Sequence, residues 1–352
     1  GLDKIEEYKI NTLTPRKYGG TLSWLAADGD DEEQTDGIGA TEAIKKLDYF
    51  AKSKIPFFLA VGFFRPHTPF VAPKKYFDLY DREKIEIPEI SDDYLATLPK
   101  PAAKSIRAKK NQLDLEKELA QEIKEAYYAT ISFVDAQVGR LISHLEESGL
   151  DENTIIVFTS DHGYHMGEHG HWQKQTLFEN ATRVPLIISA PNLKNKGLIS
   201  NSPVELIDLY PTLMDLTNIK KPQHLVGKSL SPIMNNINAS VRGSALTRWR
   251  NGYSIKTNRY RLTKWGANGE LGYELYDHKN DKEELINLAR NQNYNKVVDS
   301  LKLVIEQRIT DASIKPQGIG RQFENAKLMP KAKNITFGDI HDTNEEILQL
   351  KK

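Results

Sequence analysis

The sequence predicts an α/β protein with a parallel sheet covered by helices on both faces, followed by a smaller antiparallel sheet with one helix. Two observations predict the larger part. Apolar runs typical of buried strands alternate with helical periodicity, and the longest helical pattern lies between two such runs. A third observation predicts the smaller part, because short β-like segments separated by turns begin after about residue 240.

The first elements follow a polar N-terminal stretch. The acidic stretch 28–36 predicts a solvated loop rather than a metal cage. A helix is expected over 35–52, with Thr35 or Asp36 as its N-cap, because apolar residues recur there every three to four positions. The apolar run PFFLAVGFF at 56–64 predicts a buried strand, and the prolines that follow predict a loop at its end.

The longest helix is predicted over 114–148, with Gly149 at its C-terminal stop. The residues expected on its core face share helical spacing: Ile123, Ala126, Tyr127, Ile131, Val134, Val138, Leu141 and Leu145. The runs TIIVFTS at 154–160 and VPLIISAP at 184–191 predict two further buried strands. A helix with one internal proline is expected over 202–216.

The C-terminal part begins with the segments SALTRWR, GYSIKTN, YRLTKWG and YELYDHK, which predict a small antiparallel sheet. A helix is expected over 281–309, packed on that sheet. The chain is therefore expected to divide into a larger α/β part at 1–240, a small α+β subdomain at 241–312 and a polar, partly extended tail at 313–352.

Composition excludes several classes of function. The 48 basic residues equal the 48 acidic ones, so the basic excess of a nucleic-acid-binding protein is absent. No apolar run approaches the length of a transmembrane helix, and no membrane partner is expected. Because the chain has no cysteine, it contains no disulfide, thiol nucleophile or Cys-ligated metal.

Charged residues follow two of the predicted strands, where ligands bind in open α/β sheets. Asp161 and His162 follow the strand at 154–160, and Gly163 permits a tight turn after them. A carboxylate oxygen beside an imidazole nitrogen suits a divalent cation. Taken alone, such a pair is more often a structural contact at a loop corner, and both interpretations stay open at this point.

Two neighbouring features favour a site. Lys174 lies just downstream, in GEHGHWQK, and a lysine close to a metal indicates an anion that needs several positive charges, such as a sulfate or phosphate ester. His67 stands between two prolines in RPHTPF, and this restricted backbone can aim its imidazole at a ligand. His165, His169 and His171 are expected in structural or supporting roles.

Longer segments carry a resemblance to a known family. They are PFFLAVGFFRPHTPF, the stretch from FVDAQVGRL through TSDHGYHMGEHGHWQK to VPLIISAP, DLYPTLMDL, and YELYDHKNDKEELINLA, and they span most of 37–310. Together they resemble the sulfatases of the alkaline phosphatase superfamily, most of all the iduronate-2-sulfatases and their bacterial relatives. The resemblance implies an alkaline phosphatase-like sandwich with a parallel sheet, in which 1–240 is the C-terminal part of the catalytic α/β domain.

The resemblance also implies a role for each candidate residue. It implies that Asp161 and His162 bind a calcium ion, and that Lys174 contacts the sulfate being cleaved. His67 would face the sulfate and, when protonated, assist departure of the sugar oxygen. In this family a formylglycine hydrate attacks sulfur, while the metal and nearby cations offset charge on the sulfuryl oxygens.

One part of the family pattern has no match. The chain has neither the Cys/Ser-x-Pro-x-Arg motif that yields formylglycine nor the early strand with paired aspartates, and LTPRK at 13–17 has the wrong spacing. The chain is therefore expected to be the C-terminal portion of a sulfatase, to need a missing N-terminal segment or chain as its partner, and to be inactive alone. The family implies a secreted or periplasmic location.

The expected substrate is a sulfated, uronate-containing oligo- or polysaccharide. Tyr164 could stack on a sugar ring, and Arg248 or Arg250 could pair with a uronate carboxylate, since the planar guanidinium suits that geometry. Packing for Tyr164 and a solvated strand edge for the arginines are the alternatives. Two rival functions stay open: a phosphodiesterase or phosphonate monoester hydrolase of the same superfamily, and a non-catalytic carbohydrate-binding pseudoenzyme.

Overall fold

The computed structural model describes residues 9–14, 20–191, 193 and 196–314. Its helices are α1 Thr35–Ser53, α2 Lys74–Phe77, α3 Asp92–Thr97, α4 Lys100–Ile106, α5 Lys117–Glu147, α6 Glu179–Thr182, α7 Leu209–Leu216, α8 Ser231–Asn235 and α9 Asn295–Ser313. Its strands are β1 Asn11–Thr12, β2 Ser23–Ala27, β3 Phe70–Pro73, β4 Ile156–Thr159, β5 His165–Met166, β6 Trp172–Gln173, β7 Leu186–Ser189, β8 Ala245–Trp249, β9 Gly252–Lys256, β10 Tyr260–Trp265 and β11 Gly272–Asp277. No helix among these residues is long and apolar enough to cross a membrane.

The main core lies between the long helix α5 and the sheet β1–β2–β3, in which β2 and β3 are parallel. The helix ends where expected, with Gly149 at a φ of 68°. Its buried face differs from the expected one, because Ala120, Ala129 and Phe133 face the sheet whereas Ile131 is 41% exposed. Small side chains let the helix approach the strands closely, so apolar size alone pointed to a neighbouring face.

Two acidic residues near α1 are buried, contrary to the expectation of a solvated loop and a capping aspartate. Asp31 accepts hydrogen bonds from Tyr76 (2.6 Å) and Gln137 (2.8 Å). Asp36 is 3% exposed, and the N-cap of α1 is Gln34 rather than Thr35 or Asp36. Sequence patterns could not show these partners, because they lie far away along the chain.

The predicted strand at 56–64 is wrong as a paired strand. Exposure of its side chains alternates from residue 57 to residue 64, which is the period of an extended chain. Within the described part of the molecule, however, residues 55–63 make no backbone–backbone hydrogen bond. The apolar run therefore predicted an extended conformation correctly, but strand pairing also requires a neighbour.

The other two predicted strands exist as β4 and β7, which pair antiparallel with each other, but their residues are half-buried or exposed rather than buried as expected. The α/β class and its alkaline phosphatase-like fold are confirmed by the solved structures that the chain resembles, described below. In the described residues, the one parallel pair is β2–β3. The helix expected over 202–216 forms only from Leu209, and Pro211 lies in its first turn, where proline is tolerated.

The predicted C-terminal sheet is present as β8–β9–β10–β11, antiparallel throughout. Helix α9 packs on it through Val298, Leu301 and Ile305. The helix is shorter than the predicted 281–309, because turns precede Asn295. Most of the predicted tail at 313–352 lies outside the described residues.

Candidate functional site

The loop before β3 carries His67 and is held at both ends. The Asp36 carboxylate accepts two consecutive backbone N–H groups, the second from Arg65, at 2.8 and 2.9 Å. At the other end, the buried Thr68 hydroxyl accepts the N–H of Ser23 in β2 at 3.1 Å. These bonds fix the loop beside the sheet, so the position of His67 does not depend on its own contacts alone.

The turn after β4 carries Asp161 and His162, and close backbone packing holds it. The N–H of Gly163 donates to the Ala181 carbonyl of α6 at 2.9 Å. A Cβ at Gly163 would lie 2.0 Å from the Asn180 carbonyl oxygen, so only glycine fits. Helix α6 therefore sets where the two candidate ligands stand.

Hydrogen bonds define the proton position on both candidate histidines. Nδ1 of His162 lies 2.8 Å from the Gly163 carbonyl, and Nδ1 of His67 lies 2.6 Å from the Thr68 carbonyl. Because a carbonyl can only accept, each Nδ1 carries a hydrogen, and each Nε2 of the neutral ring keeps its lone pair. Nε2 of His162 lies 3.7 Å from an oxygen of Asp161, whose side chain is 86% exposed.

The charges of these loops act on one another. Burial lowers the pKa of His67, and repulsion from Lys174, from His162 when it is protonated, and from Arg65 lowers it further, against the bond to the Thr68 carbonyl. Burial also lowers the pKa of Lys174, while Asp161 opposes this change. Charges on three separate segments, at Arg65 and His67, at Asp161 and His162, and at Lys174, thus influence one another.

The backbone beside Lys174 is strained. Gln173, in β6, has a φ of 123°, a region that side chains rarely adopt and that costs roughly 1–3 kcal/mol. Its pairing with His165 in β5 and the bond from the Thr176 N–H to the Lys174 carbonyl (2.9 Å) hold this conformation. The strain accompanies the presentation of the lysine toward the other charges.

The three remaining histidines of the segment are buried and lie in the protein interior. Nε2 of His165 bonds the Thr176 hydroxyl at 2.8 Å, and Nδ1 of His169 bonds the Tyr94 hydroxyl. Burial is the main cause that lowers the pKa of each, to about 4 for His169. They are neutral near pH 7, as structural histidines are.

The proposed saccharide contacts lie in different surroundings. Tyr164 stacks on Tyr127, with ring centroids 5.5 Å apart, and packs against the main core. The guanidinium of Arg248 lies over the Tyr253 ring, and that of Arg250 over the Trp249 ring. Sugar contacts by these residues stay predictions.

A separate cluster with two acidic residues is held together by an arginine. Glu179, His278 and Glu284 are close enough to hold an ion, but Arg261 already bonds both glutamates. Burial would raise the pKa of Glu284, yet Arg261 and His278 lower it to about 2. The cluster is therefore a buried ion-pair network that ties α6 to the C-terminal sheet. Sequence reasoning missed it, because no spacing pattern links these residues.

Sequence profiles and curated relatives identify the family. The sulfatase profile matches residues 4–219, and a profile for the C-terminal part of N-sulphoglucosamine sulphohydrolase matches 167–311. A sulfatase from Formosa agariphila is 37% identical over 269 residues, which cover 74% of this chain and 51% of that protein. Human iduronate 2-sulfatase is 36% identical over 217 residues, 51% of this chain and 39% of that protein.

Solved structures support the same fold. A phosphonate monoester hydrolase from Silicibacter pomeroyi superposes with a TM-score of 0.73 at 24% identity, over 88% of this chain and 66% of that one. A protein solved with its substrate D-glucosamine-2-N,6-O-disulfate gives 0.63 at 23% identity, over 81% and 71%. The chain spans about half the length of the curated relatives it matches. The sequence matches show that the chain belongs to the sulfatase family.

Proposed function

We propose that this chain is part of a sulfuric ester hydrolase that acts on a sulfated, uronate-containing saccharide. The observation that carries the proposal is that Asp161, His162, Lys174 and His67, on three separate segments, influence one another electrostatically. Several positive charges around one free imidazole suit a sulfate ester, whose oxygens carry the charge that must be neutralised during cleavage. Relatives named as iduronate 2-sulfatases support the uronate.

The donors at the turn after β4 fit part of a calcium site. Asp161 offers an exposed carboxylate, and His162 offers an Nε2 lone pair because its Nδ1–H is bonded to a carbonyl. Calcium takes six to eight ligands, mostly oxygens, so these two residues supply only a part of the set. When bound, the ion would withdraw charge from the sulfuryl oxygens.

The remaining residues act on the ester directly. Lys174 is half-buried, so its ammonium group can attract a sulfate oxygen with little screening by water. Burial and nearby positive charges lower the pKa of His67, which favours its neutral form in the free site. Negative charge of a bound ester would raise that pKa, so His67 takes up a proton on binding and can give it to the leaving oxygen.

We propose that a further polypeptide segment completes the site. The chain offers no cysteine and no Ser-x-Pro-x-Arg motif as a source of formylglycine. Residues 55–64 expose apolar side chains, with Phe58 at 84% and Phe64 at 67%, and Ile187 on β7 is 61% exposed. Unpaired extended backbone beside exposed apolar side chains is the surface that an added strand covers. From the family to which the chain belongs, we propose a secreted or periplasmic location for the complete protein.

The test compares the chain alone with the product of the full gene, using 4-nitrophenyl sulfate and calcium. We expect turnover only from the longer protein, and a loss of about 10²-fold or more in Lys174→Ala, because a charge stabiliser of the transition state is removed. Lys110→Ala, which removes another exposed lysine, serves as the control.

Two outcomes would contradict the proposal: equal turnover by the chain alone, or an unchanged rate in Lys174→Ala. Parallel kinetics on 4-nitrophenyl phosphate decide between sulfate and phosphate chemistry. Release of sulfate from uronate-containing but not from neutral sulfated disaccharides would support the substrate class.

A further inference from the structure

A cleft with unusual chemistry lies between α4 and the turn that joins β8 to β9. It has a volume of about 280 Å³, near the lower end of ligand pockets, which suits one saccharide unit. Three cations and two tryptophans contribute to its lining: Lys100, Lys104, Arg250, Trp249 and Trp265. We call it the tryptophan–lysine cleft.

The cations of the cleft have no acidic partners. In the part of the chain that the structure describes, no ion pair involves Lys100, Lys104 or Arg250, and no carboxylate lines the cleft. Three unpaired cations around one concavity raise the local positive potential and favour an anionic ligand.

The two tryptophans form the apolar wall of the cleft and differ in their burial. Trp265 is 2% exposed and donates through Nε1 to Glu274 at 2.5 Å, so it is a fixed floor. Trp249 is only partly buried, and the Arg250 guanidinium lies 5.5 Å from its ring centroid. A flat ring beside a cation matches a sugar that carries an anionic group, since the ring packs on the C–H face and the cation pairs with the charge.

The backbone of the turn supports a functional reading. Arg250 has a φ of 51°, in the left-handed region that glycine or asparagine adopts at lower cost. The register pairs Trp249 with Gly252, so Arg250 and the next residue form a two-residue connection. Such connections usually carry glycine or asparagine, as Asn251 is here, so Arg250 adopts the left-handed conformation at a higher cost than those residues would. Arg250 also lines the cleft.

The cleft adjoins the segment that bears Lys174. A Cβ added at Gly252 would meet Leu177 at 2.8 Å and Trp265 at 2.6 Å, so the back of the cleft rests on residues just after the lysine. Leu177 and Trp265 also belong to one buried cluster. The floor of the cleft and the segment just after Lys174 therefore pack against each other in the interior.

We infer that the tryptophan–lysine cleft binds an anionic saccharide unit, sulfated or carboxylated, separate from the candidate calcium site. The choice of a saccharide over other flat anions rests on the proposed function, whereas the preference for an anion rests on the cleft itself. Lys100 and Lys104 on α4 and Arg250 on the turn hold the negative group, and Trp249 holds the ring.

The experiment titrates the whole chain with an unsaturated chondroitin sulfate disaccharide at low salt, following tryptophan fluorescence and heat of binding. Lys100→Glu/Lys104→Glu changes two exposed side chains and leaves the core intact. We expect this variant to bind at least about tenfold more weakly, an effect that shrinks as salt screens the charges. Lys46→Glu, which reverses an exposed lysine on α1, should bind as the wild type does.

Further arms separate the possible results. Lactose, a neutral disaccharide, should not bind, and adenosine monophosphate should compete poorly. Equal binding of the disaccharide by wild type and the double variant would overturn the inference, as would binding of lactose or of the nucleotide with the same affinity.

Asp161→Asn distinguishes the two proposals. If it abolishes binding while the cleft variant does not, the saccharide binds at the calcium site only, and the inference fails while the proposed function stands. If binding depends on the cleft but the complete protein has no sulfatase activity, the inference stands and the proposed function fails.

Discussion

The histidines of the segment 162–171 differ in the surroundings of their Nε2 atoms. His162 bonds a carbonyl through Nδ1 and keeps Nε2 for a ligand, at a position that is partly exposed. His169 and His171 also have an Nε2 without a partner, but those atoms are buried in the interior. An imidazole with an exposed lone pair can bind a metal, whereas a buried neutral one makes the fold sensitive to acid.

This difference predicts a loss of stability in acid. Burial lowers the pKa of His169 from its ordinary 6.5 to about 4, against the pull of Glu284. The folded state favours the neutral form of His169. The contribution of this residue to the free energy of unfolding is therefore complete above pH 6.5 and is lost as the pH falls toward 4. By linkage, this residue alone should remove about 3 kcal/mol of the free energy of unfolding over that range.

Urea unfolding of the wild type and His169→Gln at pH 7 and pH 4.5 measures the effect. His169→Gln should be less stable than the wild type at pH 7, but its free energy of unfolding should fall less between pH 7 and pH 4.5. His224→Gln, which replaces an exposed histidine, should keep the slope of the wild type. Identical slopes in all three proteins would refute the assignment.

At the scale of elements, the contact between the turn after β4 and α6 determines the candidate calcium site. Gly163→Ala would place a Cβ 2.0 Å from the Asn180 carbonyl oxygen. Because backbone must then move, we expect a loss of roughly 2 kcal/mol or more in stability and weaker calcium binding.

Thermal unfolding with and without calcium checks this expectation. Gly139→Ala is the matched control, since Gly139 lies on an exposed face of α5 with nothing within 4 Å of an added Cβ. That change should raise stability by up to about 1 kcal/mol, because alanine favours helix more than glycine does. A Gly163→Ala protein as stable as wild type would show that α6 does not constrain the turn.

At the scale of the whole molecule, a buried ion network joins the C-terminal sheet to the candidate site. Arg261 on β10 bonds Glu284 and Glu179, and Glu284 also accepts the backbone N–H of Glu179 at the start of α6. The same helix contacts Gly163 beside the candidate calcium ligands. The small sheet therefore supports the site through one short helix.

Arg261→Met should be strongly destabilising. It removes the guanidinium that pairs with Glu179 and with the buried Glu284, and breaking such a buried pair costs about 3–5 kcal/mol. Arg183→Met is the control, because Arg183 is 79% exposed and lies 4.0 Å from Glu179. Denaturant unfolding measures both changes, and a loss below about 1 kcal/mol in Arg261→Met would argue against the network.

The sequence by itself determined the two long helices α1 and α5, the strands β4 and β7, the antiparallel C-terminal sheet and the candidates His67, Asp161, His162 and Lys174. Those features depend on local periodicity and on motifs of a few residues, which are visible in one segment at a time. Tertiary structure decided the rest. Whether the run at 56–64 pairs, why Asp31 and Asp36 are buried, and how Lys100 meets Trp249 depend on neighbours distant along the chain. Burial and hydrogen bonding set the proton positions of the histidines, and these properties exist only once the chain is folded.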